Sequence, residues 1–302
     1  MSVAQRPSSP RLDALISVVI TCKDEPLLAD TLTALEGKLA RCDLESEIVV
    51  VDASEGRLDD IRQSHPRIRW LDFRPPAGVE VSIPHQRNRG VEATTGDVIA
   101  FTDCGCIPDD GWAESITTPI VAGAESVTVG RTVGSGLVNM YDAWAVDPPP
   151  YVDEAPTINM AFARAAFDRV GGFDESFSYG SDIDFCWRLC DAGYRIRLVP
   201  EAIVRADWGS RRRQLRRAWS YGRARARLYR KHHGRLRVAW RADPLPFGYG
   251  LFVLSLPLAR RFPWYLLILV LPAIRNRRTG ALLTVADHIL LGAGFLRGLV
   301  GP

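Results

Sequence analysis

Runs of apolar, largely β-branched residues recur through the first hundred positions, each closed by polar turn-forming residues: Leu15–Thr21, Glu47–Asp52, Ile68–Phe73 and Asp97–Thr102. Continuous apolar runs of this length mark strands buried on both faces. Between the first two, Leu28, Leu32, Leu35 and Leu39 fall at helical spacing, with Pro26 expected at the first helical position. Pro84–Ala93 reads as a second helix before the last run. Strand alternating with helix restricts the chain to the α/β class: a mostly parallel sheet, covered by helices, with its ligand crevice beyond the carboxyl ends of the strands.

The strand ends carry the polar chemistry. Asp52 closes the second run and Asp103 follows the fourth. Carboxylates placed there can hold a ribose hydroxyl or a divalent metal, or simply cap the following turn, and the sequence leaves both roles open. No GxGxxG follows the first strand, which argues against a dinucleotide dehydrogenase, and the absence of GxxxxGK removes a P-loop NTPase.

Charge divides the chain into three expected segments, 1–204, 205–241 and 242–302. The first holds 18 basic and 32 acidic residues, and the second 14 basic residues against Asp207 alone. The third is apolar. With 302 residues, 47% of them hydrophobic, the chain can bury a substantial core. Six cysteines without a secretory signal point to a reducing compartment. Cys104 and Cys106 lack a second ligand pair at zinc spacing and are expected as buried, inert thiols.

The ordered segments SVVITCKDEP, EIVVVDASEG, QRNRGVEATTGDVIAFTDCGCIPDDGW and GGFDESFSYGSDIDFCWRLCDAGYRI resemble the family 2 glycosyltransferases, over roughly Ser17–Val204. The resemblance implies a GT-A fold and an inverting transfer of sugar from a nucleotide diphosphate, UDP- or GDP-linked, to a hydroxyl acceptor. It places Thr21 and Glu25 at the nucleoside pocket, Asp52 at the base or ribose, and Arg87 of QRNRG near the nucleotide, beside Asn88 and Gly90. Asp103 matches the first acid of the DxD metal motif, so a divalent metal, Mg²⁺ or Mn²⁺, is the expected cofactor. The second acid is missing: the chain reads Asp103, Cys104, Gly105.

Asp182 aligns with the family's general base, although Ser181 replaces the usual preceding acid. Carboxylates in a first helical turn also suit the macrodipole, which would account for Asp182 and Asp184 without any catalysis. Asn159, in the segment Thr157–Phe162, is expected to touch donor sugar or acceptor. Asp184 and Trp187 are expected on the acceptor side, Asp184 alternatively supporting the loop. Residues Asn139–Tyr151, with Trp144, read as an irregular acceptor-side loop. The region after the last strand offers no histidine where many relatives place one, leaving Asp207 as a possible substitute there.

From Ser210 to His233, Leu215, Trp219, Gly222, Ala226 and Tyr229 fall on one helical stripe and most of the remainder is arginine. A solvated helix, a phosphate-binding helix on nucleic acid and a helix on anionic lipid all fit that pattern. The apolar stretches that follow, Leu245–Ala259, Phe262–Ile274 and Ala281–Leu296, favour the membrane surface. At 15, 13 and 16 residues each falls short of the roughly 20 that span a bilayer, so interfacial or re-entrant helices are expected, with a small soluble helical subdomain as the alternative. The expected location is the cytoplasmic face of the cell membrane, with the cytoplasm second, a glycan or lipid-linked acceptor, and no nucleic acid. A GT-A-like module that binds glycan or lipid without turnover is the competing functional class, motivated by the incomplete DxD and by Ser181.

Overall fold

In the computed structural model of the chain, residues 14–135, 149–207, 209–269 and 281–301 are described. They fall into two compact units, one made of the described residues up to Asp207 and the other of those from residue 209 onward. Residues 209–241 of the basic segment lie in the same unit as the described part of the apolar tail.

The first unit opens with β1 (Ile16–Cys22), α1 (Leu28–Leu39), β2 (Ser46–Asp52), α2 (Asp59–Ser64), β3 (Arg69–Asp72), α3 (Ile83–Ala93) and β4 (Val98–Thr102). It continues with β5 (Cys106–Pro108), α4 (Trp112–Val121), β6 (Val127–Ser135), β7 (Tyr151–Val152), β8 (Asn159–Ala163), α5 (Arg164–Val170), α6 (Ser181–Asp191) and β9 (Ile196–Asp207). The sheet order is β3-β2-β1-β4-β8-β6-β9-β5, with β7 on β9. β1 is parallel to both β2 and β4, and β6 is parallel to β9, while β8 runs antiparallel between β4 and β6. The expected mostly parallel α/β sheet is thus present.

The chain leaves β1 toward β2 and β3 on one side and returns to place β4 on the other. That reversal opens a crevice outside the carboxyl ends of β1 and β4, where a ligand site belongs in such sheets. β1 and β4 reach this edge as almost wholly buried strands, and their residues Val19, Ile99 and Phe101 enter a core with Phe162, Phe167, Phe173 and Phe185. The rings meet edge-on or tilted in most pairs, with Phe173 and Phe185 centroids 4.4 Å apart. This aromatic cluster ties β4 and β8 to α5, α6 and the turn between them, so the crevice has a rigid floor. α1 begins at Leu28, leaving Pro26 in the preceding turn, whereas Pro84 does stand at the opening of α3.

The second unit contains α7 (Arg211–Lys231), α8 (Leu236–Ala242), α9 (Pro244–Ser255), 3₁₀ turns at Leu256–Arg260 and Pro263–Leu269, and α10 (Ala281–Val300). The apolar stripe of α7 packs on α10 through glycine. A Cβ on Gly222 would strike the backbone of Leu291 and Phe295, and one on Gly294 would strike the backbone of Trp219. Gly298 meets Arg223 and Ala226 in the same way, and Gly292 meets α9 at Tyr249 and Gly250. Small residues let helix backbones approach closely, so most of the stripe is spent on α10.

α10 is longer than its apolar run suggested. It extends through Arg297 to Val300, and Leu283–Val300 is long and apolar enough, by length and composition alone, to cross a membrane. A single arginine and scattered glycines do not end a helix whose other positions are good helix formers. Residues 139–148 of the expected acceptor-side loop, and 270–274 of the second apolar stretch, lie outside the described residues.

Candidate functional site

The crevice is lined by the turns after β1, β2 and β4, by the start of α3 and by the start of α6. The β1 and β2 turns are fastened to each other. Asp52 is buried, and its Oδ1 accepts a hydrogen bond from the Ser54 amide at 2.8 Å, so the turn-capping role is realised there. Ser54 Oγ in turn accepts from the Asp24 amide at 2.7 Å, and Arg57 donates to both Asp24 oxygens at 2.6 and 3.2 Å. The Arg57 guanidinium holds the Asp24 carboxyl below the usual carboxylate range. Asp24 and Glu55 both have left-handed backbones, at φ 55° and 53°, in the pair of turns that would frame a nucleoside. Thr21 and Glu25 sit on the same rim, half-buried, with Glu25 Oε1 accepting from Leu27 N at 3.4 Å.

The Gln86 side chain joins the ends of β1 and β2. With its amide nitrogen turned toward them, it donates to Val51 O at 3.1 Å and Cys22 O at 3.2 Å. One residue on, Arg87 is buried and reaches across the crevice. Its Nη2 lies 4.0 Å from Asp103 Oδ1, and its Nη1 lies 3.5 Å from Ser181 Oγ at the start of α6. The guanidinium rests over the Phe173 ring, 5.5 Å from its centroid. Asp103 and Asp182 therefore share one cleft, with Arg87 between them.

Asp182 Oδ1 accepts from the Ile183 amide at 2.9 Å. Burial raises its carboxyl above the ordinary range; the Arg87 charge opposes that, and the Asp103 charge adds to it. A carboxylate so placed, its proton affinity raised by surroundings that still keep a cation close, is a stronger base than an exposed aspartate.

The Arg87 guanidinium is short of acceptors. Its contacts are long, and its buried Nε has no hydrogen-bond partner among the described residues; Thr102 Oγ1, beside Asp103, is likewise buried and unpaired. A buried cation with unmet donors demands an anion, and a diphosphate supplies the oxygens. The side chain of Asp103 is 41% exposed and faces the same opening. Among the described residues, no three His, Cys, Asp or Glu side chains cluster for a metal. A hard cation on Asp103 would complete its shell with diphosphate and water oxygens, a ligand pattern usual for Mg²⁺, so the residues fit one held jointly with the donor. Cys104 donates to Thr21 O at 3.3 Å, a hydrogen bond with Cys22 and burial push its thiol pKa up, and burial does the same for Cys106. These are inert thiols rather than soft-metal ligands.

The acceptor-side expectations need correction. Asn159 is enclosed, accepting from Trp112 Nε1 at 2.8 Å and donating to Arg131 O at 2.8 Å and Ala202 O at 2.9 Å. Its amide staples the β-bulge at Gly130/Arg131, where β6 slips register against β9, with both N–H groups spent on the fold and the side chain enclosed. Asp184 is fully buried and pairs with Arg188 Nε at 2.8 Å. Arg188 spends its other nitrogens on Val170 O and Gly172 O, each at 2.6 Å, so the pair anchors the turn before α6, which is the loop-supporting role expected for Asp184 as the alternative to the acceptor. Trp187 is also buried, donating to Glu154 Oε1 at 3.1 Å. First-turn carboxylates on one helix thus part ways: Asp182 faces the cleft and Asp184 the interior.

Sequence reasoning passed over Gln86, the Asp24–Arg57 clasp and the Arg188 anchor. The i,i+4 spacing of Asp184 and Arg188 was the available signal for the last; the first two join residues distant in sequence and left none.

Comparison with known proteins gives the family and the fold. Residues 17–168, half the chain, match the family described as glycosyl transferase family 2, and residues 154–276 match glycosyl transferase family group 2. A pre-mycofactocin glycosyltransferase of Mycobacterium tuberculosis is 32% identical over 204 residues, covering 61% of this chain and 43% of that protein. The chain thus spans less than half the length of that relative. The succinoglycan biosynthesis protein ExoA of Rhizobium meliloti is 27% identical over 258 residues, 76% of each chain. A mannosyltransferase from Pyrobaculum calidifontis, solved in complex with GDP-Man and Mn²⁺, shares the fold at a TM-score of 0.68 and 16% identity, covering 97% of this chain and 89% of that one. With the crevice at the β1/β4 reversal, the acid after β4 and the cation bridging to α6 all in place, the chain belongs to glycosyl transferase family 2.

Proposed function

We propose that this chain transfers a sugar from a nucleoside diphosphate, UDP- or GDP-linked, to an acceptor hydroxyl with inversion at the anomeric carbon. The observation that carries the reading is the span of Arg87 between Asp103 and the opening of α6, which puts a diphosphate-seeking cation and a raised carboxyl in one cleft. The turns after β1 and β2 hold the nucleoside, with Thr21, Glu25 and Asp52 on its rim. Arg87 takes the diphosphate. Asp182 accepts the acceptor's hydroxyl proton as its oxygen attacks from the face opposite the diphosphate, and single displacement inverts the centre. A divalent cation on Asp103, when bound, neutralises the charge developing on the leaving diphosphate.

The relatives' printed names, a mannosyltransferase with GDP-Man and Mn²⁺ and a succinoglycan biosynthesis protein, support a nucleotide-sugar donor and a glycan product. The second unit supports a place at an anionic membrane surface, with a lipid-linked or cell-surface glycan acceptor. Trp264, Leu251 and Trp240 are exposed at 78%, 69% and 66%, and α7 carries arginines over most of its circumference. Aromatic side chains flanked by arginines match the headgroup layer of a bilayer. Because nucleotide sugars are cytosolic, we place the chain on the cytoplasmic face.

The test is donor turnover. Released nucleoside diphosphate is followed with UDP- and GDP-sugars in the presence of Mn²⁺, and the anomer of the product is read by NMR. Product of inverted configuration is expected; retained configuration would remove the single-displacement role of Asp182, and binding without turnover would favour the idle module. Sedimentation with phosphatidylglycerol and phosphatidylcholine vesicles tests the membrane assignment, which fails if neither lipid binds the chain.

A further inference from the structure

The turn between α5 and α6 is held from both sides. Arg188, anchored by Asp184, donates to the carbonyls of Val170 and Gly172 from α6. From α3, Asn88 Oδ1 accepts from Phe173 N at 2.8 Å while Asn88 Nδ2 donates to Phe173 O at 2.9 Å, a paired contact that treats one residue's backbone as a strand partner would. The same nitrogen lies 3.0 Å from Glu175 Oε1. The fit leaves no slack: Gly172 has φ 70°, and a Cβ there would come within 2.8 Å of both Asn88 Oδ1 and the Phe167 ring.

Phe173 is the residue whose ring supports the Arg87 guanidinium, at 5.5 Å, and Arg87 directly precedes Asn88 on α3. The Phe173 ring is itself fixed by the core, 4.4 Å from Phe185 and 5.7 Å from Phe101 between centroids. Arg87 has weak polar contacts of its own, at 3.5 and 4.0 Å, and an unpartnered Nε. Its position across the cleft is therefore not set by hydrogen bonds to the groups it lies between. What sets it is the ring beneath it, and what fixes that ring relative to α3 is the neighbouring asparagine.

We propose that Asn88 is a positioning residue: by gripping the backbone of Phe173 it locks α3 to the turn before α6 and so holds the Arg87 cation where the diphosphate must lie. The proposal rests on the glycosyl-transfer reading for the identity of that anion. Asn88 itself touches no reacting group, and its effect is exerted wholly through the ring and the guanidinium.

The experiment compares nucleoside diphosphate with monophosphate, because only the former reaches the site of Arg87. Affinities for UDP, UMP, GDP and GMP, with Mn²⁺, are measured by calorimetry for the wild-type chain, Asn88→Ala and Phe173→Leu, alongside thermal unfolding. Phe173→Leu keeps the backbone partners of Asn88 but removes the ring, and so covers the case in which Asn88→Ala does not fold. The wild type is expected to prefer the diphosphate, and each folded variant to lose roughly tenfold of that preference while monophosphate affinity stays unchanged, since small displacements of a positioned group are costly. Equal loss of both nucleotides would assign Asn88 a merely structural role and overturn the proposal, as would an unchanged preference in both variants. If the wild type itself shows no diphosphate preference, the diphosphate reading of Arg87 falls and takes the proposal with it; a preference that survives in the variants sinks the proposal alone.

Discussion

The two units solve the problem of burial in opposite ways. In the first, large side chains fill the interior and buried polar groups are mostly spent on one another, as at Asn159 and Asp184; orphaned donors remain at the cleft, on Arg87 and Thr102. In the second, helices α7 and α10 meet through glycine backbones, and large apolar side chains such as Trp240, Leu251 and Trp264 face outward. The unmet donor of Arg87, beside the half-exposed Asp103, suits a ligand's oxygens, whereas a unit that leaves apolar area over a whole surface is shaped around an apolar environment.

The comparison breaks most sharply at Asp182. Asp182→Asn is expected to lower kcat about 10²–10⁴-fold while UDP or GDP binding is preserved, because general-base assistance is worth that range; a variant with near-wild-type turnover would remove the base. In the wild type the acid limb of the rate should lie above the ordinary carboxylate range, with activity lost as pH falls through the raised pKa of Asp182.

Next in size is the buried carboxylate on the same helix. Asp184→Ala strands Arg188 beneath the α5–α6 turn, and breaking a buried pair costs about 3–5 kcal/mol. Denaturant unfolding should show a loss of that order, and a change below about 1 kcal/mol would show that the Asp184–Arg188 pair does not hold the turn. In the second unit, Gly294→Val would force α10 off the Trp219 backbone at a cost of about 1–3 kcal/mol, as overpacking generally does. Nucleotide binding by the first unit should survive that substitution, and its loss would show that the units do not fold independently.

The smallest effect concerns Asp287, which α10 carries into its apolar setting. Burial raises its carboxyl from 3.8 to about 6. The folded state then holds this proton more tightly than the unfolded chain, so the contribution of this one group to stability is fully present below about pH 4 and is lost as pH rises through about 6. Asp287→Asn should flatten that slope in thermal unfolding followed across pH, and an unchanged slope would assign it elsewhere.

Much of this molecule is local and therefore legible. Apolar runs and helical stripes report backbone periodicity, which each stretch of chain carries within itself, and they located β1 to β4, α1, α3 and the stripe of α7. The positions of Asp52, Arg87, Asp103 and Asp182 along the chain were legible through the resemblance, because an ordered series of motifs survives where single residues do not. What periodicity cannot report is which way a polar side chain turns once elements pack. Asn159, Asp184 and Trp187 lie in stretches that resemble substrate-facing segments, yet each points into the interior and closes a hydrogen bond or ion pair there. The clasp of Asp24 with Arg57 and the grip of Asn88 on Phe173 join residues 33 and 85 positions apart, and no local pattern announces them.

The sequence alone determined the α/β order of elements, the charge division and the chemistry available at each strand end, since these depend on residue type and spacing. The tertiary structure alone decided which carboxylates and which cation share a cleft, and which polar groups are spent on the fold. The physical reason is that a buried polar group takes its partner from whatever packing brings within about 3 Å. That partner is set by the meeting of β1, β4, α3 and α6 in space, not by their order along the chain.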